Sequence, residues 1–336
     1  MSLPPPPVAN PDLVGHDPAA AQLRDASRGG RLHHGWLVAG PAGVGKATLA
    51  WRYARWVMAG MPEGQGTPLH VSPDAAVFRR IAAGAHADLR GLSPEAGDKG
   101  KKVIIRVEDV REVPRFLSMT PAEGGWRVVI VEDADGMNEQ AQNALLKTLE
   151  EPPARAVLLL TTSAPDRLLP TIRSRVRRLD LFPLEETVMA PLLAGWLPEM
   201  AEADRAALAT VSGGSPGRAL ALAEGDGLEL ARDVSALLAA LPRPDPRSLH
   251  VLADRIAAKR DGAALLTFFE LLRDSLARAL RAAARGQAAP AWLAGRGLAE
   301  WAGVWDGLGR LADETEALNL DRKGAVLTGL SRLVPP

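Results

Sequence analysis

The sequence predicts an α/β domain built on a mostly parallel sheet, followed by two helical domains. Three observations predict it. Short buried apolar runs alternate with segments of helical spacing as far as Pro183. A glycine-rich turn, Gly40-Pro-Ala-Gly-Val-Gly-Lys46, follows one of those runs and opens a helix. Beyond Pro183 the strand-like runs stop, and Ala, Leu and Arg at helical spacing continue to the end. Strands that alternate with helices pair in parallel, because each crossover needs a helix-length connection.

The elements follow in order. The proline-rich first ten residues read as a frayed arm, and a helix is expected around Pro18–Ser27. His34–Ala39 is a short apolar run stopped by glycine, so it reads as a buried strand. Ala47–Ala59 carries helical spacing, Gly60–Ser72 is a Gly- and Pro-rich loop, and Asp74–Ala85 is helical. Val103–Arg106 reads as a strand and Val107–Leu117 as a helix. Trp126–Val131 is the clearest buried strand. Asn138–Leu149 is a helix stopped by Pro152-Pro153, whose rings cannot continue it. Val157–Thr162 is another buried strand. Gly213–Gly217 and the segment from Pro242 to Pro246 then break the helical remainder, which divides it at residues 184–241 and 242–336.

Composition excludes several classes. Hydrophobic residues make up 47% and charged residues 24% of 336, the profile of a folded core under a solvated surface. The longest apolar runs, such as Ala156–Leu160 and Val128–Val131, fall far short of the ~18 residues a membrane-spanning helix needs. The N-terminal segment lacks a basic region followed by an apolar one, so no secretory signal is expected and a cytoplasmic, membrane-free protein is the simplest reading. Forty basic residues balance forty acidic ones, which argues against a stand-alone binder of bulk nucleic acid. With no cysteine, disulfides, thiolate catalysis and cysteine-ligated zinc are all excluded, and no protein-held metal is expected.

The turn at Gly40 has the context of a phosphate loop. Gly40, Gly43 and Gly45 let the backbone fold tightly so that several N–H groups face one concavity, and the helix N-terminus adds its positive end. Lys46 would reach the β and γ phosphates. The next residue should be Ser or Thr to ligate Mg²⁺, and here it is Ala47. Thr48 does not replace it, since one helical step turns a side chain by about 100°. The loop therefore either holds phosphate with a weakened metal grip or persists only as a tight strand-to-helix turn.

Glu132 and Asp133 stand at the end of the strand Arg127–Val131, where open α/β sheets bind ligands. In P-loop ATPases the first acid here holds Mg²⁺ and the second orients the attacking water, in the order Asp then Glu. This chain reverses the order, which displaces each carboxylate by roughly 1.5 Å. Errors near 1 Å can cost about 100-fold in rate. The pair reads as a damaged metal site or as a solvated acidic loop.

Asn143-Ala-Leu-Leu-Lys-Thr-Leu-Glu-Glu-Pro-Pro153 is a long literal match to the clamp-loader branch of the AAA+ ATPases, which this chain resembles. Thr171-Ile-Arg-Ser174-Arg175-Val176 is similar to the Ser-Arg-Cys motif of that branch, with valine for cysteine. Gly214-Ser-Pro-Gly-Arg218-Ala-Leu220 resembles its sensor 2 segment, and Thr162-Ser163 its sensor 1 region. Leu13-Val-Gly-His-Asp17, Gly30-Arg-Leu-His-His34 and Asn319-Leu-Asp-Arg-Lys323 also resemble segments of the branch.

The resemblance implies an AAA+ nucleotide-binding-like domain at 1–183, a helical lid domain at 184–241 and a helical collar domain at 242–336. It implies ATP or ADP with Mg²⁺ as cofactor, and no zinc, because the cysteines that relatives carry after the phosphate-loop helix are missing. Partners would be the gamma/tau and delta subunits of a five-membered ring, with the sliding clamp met indirectly and primer-template DNA met within the assembly. Arg175 would be an arginine finger acting in trans on a neighbour's ATP. Nucleotide in this chain's own site would meet Gly40, Gly43, Gly45, Lys46, Ala47, Thr48, Glu132, Asp133, Thr162 and Arg218. Ala47 and the reversed acids weaken hydrolysis in cis, so a scaffold and finger donor of DNA polymerase III is the first reading. An ATPase turning over ATP in its own site is the second.

Other residues carry plainer readings. Arg173, Arg175, Arg177 and Arg178 also make a solvated basic face. His33 and His34 pack or cap the adjoining strand, and Trp301 and Trp305 fall on one helix face and suit packing.

Overall fold

A computed structural model of the chain describes residues 3–27, 32–63, 66–94, 105–123, 125–259 and 262–334. The described residues divide into two compact units, one reaching Ala219 and the other starting at Leu220.

In the first unit five strands, β1 (Gly35–Ala39), β2 (Leu89–Leu92), β3 (Arg127–Val131), β4 (Ala156–Thr162) and β5 (Arg177–Asp180), pair in parallel in the order β2-β3-β4-β1-β5. Every residue of β1, β3 and β4 is buried, which is why these three read as unbroken apolar runs. Side chains alternate across the sheet. Trp36 and Val38 pack with α2 (Lys46–Met58) through Leu49, Ala50, Tyr53 and Val57, beside α1 (Asp17–Ser27) and α3 (Ala76–Ala82). Leu37, Val129 and Leu158 face the other layer, where α4 (Val107–Ser118) supplies Val110 and Val113, α5 (Glu139–Glu150) supplies Leu145 and Leu149, and α6 (Pro170–Arg173) supplies Ile172. Asn138 caps α5 by accepting from the Ala141 N–H (2.9 Å), and Pro152-Pro153 stops it. Helices α7 (Glu186–Trp196), α8 (Glu202–Ser212) and α9 (Pro216–Ala223) follow.

The edges of the sheet differ from the expectation. Val103 and Ile104 of the expected strand Val103–Arg106 lie outside the described residues, while Ile105 and Arg106 are not strand. The strand beside β3 is β2, whose sequence Leu-Arg-Gly-Leu has no apolar run to announce it. The other edge strand, β5, reads Arg-Arg-Leu-Asp and buries only Leu179. Edge strands are half solvated, so their identity rests on pairing rather than on hydrophobic pattern.

The described residues of the N-terminal arm, from Leu3 on, are also not frayed. Pro7–Ala9 makes a 3-10 turn whose carbonyls are gripped by a buried arginine of α2. Arg55 donates to the Pro7 (3.3 Å), Val8 (2.8 Å) and Asn10 carbonyls, and Arg52 donates to the Pro11 carbonyl. Arg52 also donates to the Pro68 carbonyl and to Thr67 Oγ1 (2.9 Å each), and Trp56 Nε1 to the Pro62 carbonyl (3.0 Å). Those bonds tether the described residues of the cysteine-free loop Gly60–Ser72; Gly64 and Gln65 lie outside them.

Among its described residues the second unit has only helices as regular elements: α10 (Gly227–Ala239), α11 (Pro246–Ala258), α12 (Ala263–Ala284), α13 (Leu298–Leu318) and α14 (Arg322–Leu333), with a short 3-10 turn at Ala291–Gly295. Phe268, Leu272, Leu276, Trp301, Leu308, Val326 and Leu330 are buried in it. Trp301 is a core residue, its indole N–H donating to the Leu293 carbonyl (2.9 Å). Among the described residues no helix is long and apolar enough to cross a membrane.

Candidate functional site

In a parallel sheet the C-terminal ends of all strands meet at one edge. Ala39 lies opposite Thr162 and Val131 opposite Leu160, so the turns after β1, β3 and β4 converge there. The turn after β1 is the glycine loop. Gly40 (φ 155°) and Gly43 (φ 72°) sit where a side chain would collide. A Cβ on Gly40 would fall 2.5 Å from the Leu181 carbonyl oxygen, and one on Gly43 would fall 2.5 Å from the Arg218 nitrogen. The Gly217 N–H donates to the Gly43 carbonyl (2.8 Å), which brings the start of α9 and Arg218 directly onto the loop. His16 closes the other side, donating from Nε2 to the Val44 carbonyl (2.8 Å). Gly45, left-handed, leads into α2 with no side-chain cap, so the first N–H groups of that helix are not consumed by a capping residue.

Lys46 opens α2 and is buried. Its ammonium donates to the Pro41 carbonyl (2.9 Å) and to Ser163 Oγ (2.8 Å). Burial holds its pKa below the usual lysine value, opposed by the carboxylates of Asp133 and Asp135. Asp135 in turn accepts from Thr162 Oγ1 (2.6 Å) and from the Ser163 N–H (3.1 Å). The Asp133 N–H donates to Thr161 Oγ1 (2.9 Å), and Asp133 is left-handed at φ 46°. The ends of β3 and β4 are thus tied to each other and to the lysine.

Glu132 points elsewhere. Its Oε1 accepts from the indole N–H of Trp51 on α2 (2.7 Å). The indole fits there because β2 carries Gly91, where a Cβ would fall 2.7 Å from the Trp51 ring. Burial raises the Glu132 pKa, the indole hydrogen bond opposing it; burial also raises that of Asp133, with Lys46 opposing.

The structure therefore gathers Gly40, Gly43, Gly45, Lys46, Glu132, Asp133, Thr162 and Arg218 at one edge. The loop fits a phosphate, with left-handed glycines, an uncapped helix start and a buried lysine. A divalent metal fits less well. Ala47 offers a methyl group, Thr48 lies one step further along the helix, and the carboxylate of Glu132 is engaged by Trp51. Ser163, His16 and Trp51 complete the site. Of these, Ser163 and His16 lie in segments the sequence flagged, Thr162-Ser163 and Leu13–Asp17, though without a role for His16; Trp51 carries no local signal, because its partner Glu132 is distant in sequence.

Arg175 lies apart. It sits in the turn between α6 and β5, and its carbonyl oxygen approaches Gly35, the first residue of β1. That is the opposite edge of the sheet from the glycine loop. The four steps from Gly35 to Ala39 span about 13 Å at about 3.3 Å each. Its side chain, 34% exposed, pairs with Glu150 (Nη2 to Oε1, 2.7 Å).

The raised carboxyls predict a pH dependence. An acid whose pKa is higher folded than unfolded leaves the native state unpenalised below the ordinary carboxylate range and penalised above its folded value. Glu132→Gln keeps an acceptor for Trp51 and removes that penalty. The variant is expected to melt above the unchanged protein at pH 7–8, with the difference closing near pH 4. A pH-independent difference in melting temperature would show that the Glu132 charge is not its source.

The family described as DNA polymerase III, delta subunit, matches residues 15–185. The DNA polymerase III subunit delta' of Pseudomonas aeruginosa is 40% identical over 191 residues, 56% of this chain and 56% of that protein. The chain thus aligns with little more than half of that relative's length. The delta' subunit of Escherichia coli K12 is 36% identical over 267 residues, 74% of this chain and 77% of that protein. The tau subunit of the same organism is 33% identical over 250 residues, 71% of this chain and 37% of that protein. Among solved structures, a DNA polymerase III gamma subunit-related protein of Thermotoga maritima covers 94% of this chain and 98% of its own, at 19% identity and a TM-score of 0.46.

Proposed function

We propose, from the premise that the chain belongs to the DNA polymerase III delta' (delta prime) family, that it is a scaffold subunit of the clamp loader and lends Arg175 to a neighbouring subunit's ATP. The observation that carries this reading is the position of Arg175. It stands at the sheet edge remote from its own phosphate loop, so it is suited to a nucleotide held by another chain. An arginine that meets charge developing on a transferring γ-phosphate contributes about 10³–10⁵ in rate.

In this reading residues 184–241 serve as a lid and 242–336 as a collar that joins gamma/tau and delta in a ring. The sliding clamp and primer-template DNA are met through that assembly, in the cytoplasm. The chain's own loop holds the phosphates of ATP or ADP without supporting fast hydrolysis. Support for that comes from Ala47 at the metal-ligand position and from Glu132, which is bonded to Trp51. Lys46→Ala in this chain is accordingly expected to leave turnover of the loader within about two-fold. A large fall would favour the second reading, an ATPase active in its own site.

The test of the finger is the DNA- and clamp-stimulated ATPase of the reconstituted loader carrying Arg175→Ala. Unchanged turnover with the ring assembled would remove the role.

A further inference from the structure

We infer that Glu150 is a positioning residue for Arg175, setting where the guanidinium points before a neighbour's nucleotide meets it. The inference rests on the reading of Arg175 as a finger that acts in trans. Glu150 is the last residue of α5, in a helix ended by Pro152-Pro153. A carboxylate in the last turn faces the negative end of the helix dipole, an unfavourable place for it unless a cation answers it. Arg175 is that cation, its Nη2 2.7 Å from Glu150 Oε1.

The other terminal nitrogen is held by a different element. Nη1 donates to the Thr171 carbonyl on α6 (2.9 Å) and approaches Ser174 Oγ (3.3 Å). The Arg175 backbone is pinned as well, its N–H donating to the Ile172 carbonyl (2.9 Å). Two anchors on two elements define the plane of one rigid fork. The neighbouring arginines are served locally: Arg173 pairs with Asp166 (2.8 Å) and Arg178 with Asp180 (2.8 Å). Arg175 instead reaches across to α5. Both partners are partly exposed, so the pair adds little to stability and its value lies in geometry. Positioning of a group that acts on a transition state affects turnover more than ground-state binding.

The test is steady-state ATPase of the reconstituted loader with DNA and clamp, expressed per assembled complex. The chain carries Glu150→Gln, Glu150→Asp, Arg175→Ala or Glu150→Gln with Arg175→Ala. Glu150→Gln is expected to lower kcat about 3–10-fold and to leave KM for ATP within about two-fold. Glu150→Asp, one methylene shorter, is expected to fall between. The double variant is expected to match Arg175→Ala alone, since both changes act on one unit. Glu150→Gln at full kcat while Arg175→Ala falls would overturn the positioning role and leave the finger intact. Losses that add fully in the double variant would overturn it too. Unchanged turnover with Arg175→Ala would remove the finger, and the positioning role with it.

Discussion

Arg175→Ala is expected to lower DNA- and clamp-stimulated ATP turnover of the assembled loader at least about ten-fold, and as much as about 10³-fold. The physical reason is charge. A γ-phosphoryl group in transfer spreads negative charge over its oxygens, and a fixed guanidinium in a closed interface meets it without reorganising. Arg175 has the form this needs: a fork held by Glu150 and by the Thr171 carbonyl, at a partly exposed turn, on the sheet edge away from its own loop. Arg175→Lys keeps the charge but loses the planar fork, so an intermediate loss is expected. Ring assembly should be unaffected in both, as judged by gel filtration. A neighbour's site that fires independently of the others would remove only its own share of turnover. A ten-fold fall therefore also reports that the sites act together.

The second large effect is on stability. Asp88 precedes β2 and is fully buried. Its two carboxylate oxygens accept from the Ala122 N–H (2.9 Å) and the Glu123 N–H (3.0 Å), and Oδ1 lies 3.1 Å from Arg127 Nη2. Arg127 is itself buried, donates to the Thr120 carbonyl (2.8 Å) and lies over the Phe116 ring (4.7 Å). Asp88→Ala leaves a buried guanidinium without its counter-charge and two N–H groups without acceptors. Removing one partner of a buried pair costs about 3–5 kcal/mol. For a unit of this size that corresponds to a fall of about 6–20 °C in the melting temperature of the first unit. Adding Arg127→Met to Asp88→Ala removes the stranded charge and is expected to restore part of the loss. A fall under about 2 °C for Asp88→Ala would mean that water or a shifted loop replaces the carboxylate.

This pair shows where sequence reading runs out. Asp88 and Arg127 are 39 positions apart, and neither lies in a recognisable motif. The strand they steady, β2, has no apolar run to announce it, and of the strand expected at Val103–Arg106 only Ile105 and Arg106 are described, neither of them in a strand. By contrast β1, β3 and β4 were legible, because a strand covered on both faces must be apolar throughout. The glycine loop was legible for a related reason: backbone that must turn left-handed and lie against other backbone leaves glycine as the residue that fits. The sequence marks Arg175 through a motif and Ala47 through its place after Lys46; the structure adds where each of them sits.

The sequence by itself therefore determined the α/β class, the helical remainder, the glycine-rich loop and the identities of the charged residues beside it. These follow from local geometry, since period, turn chemistry and side-chain type act within a few residues. Only the tertiary structure decided that Trp51 takes the carboxylate of Glu132, that Ser163 takes the ammonium of Lys46, and that the start of α9 rests on Gly43. It also decided that Arg175 faces away from its own loop and toward Glu150. Each of these joins segments distant along the chain. Such contacts follow from the strand order β2-β3-β4-β1-β5, which brings together segments far apart along the chain.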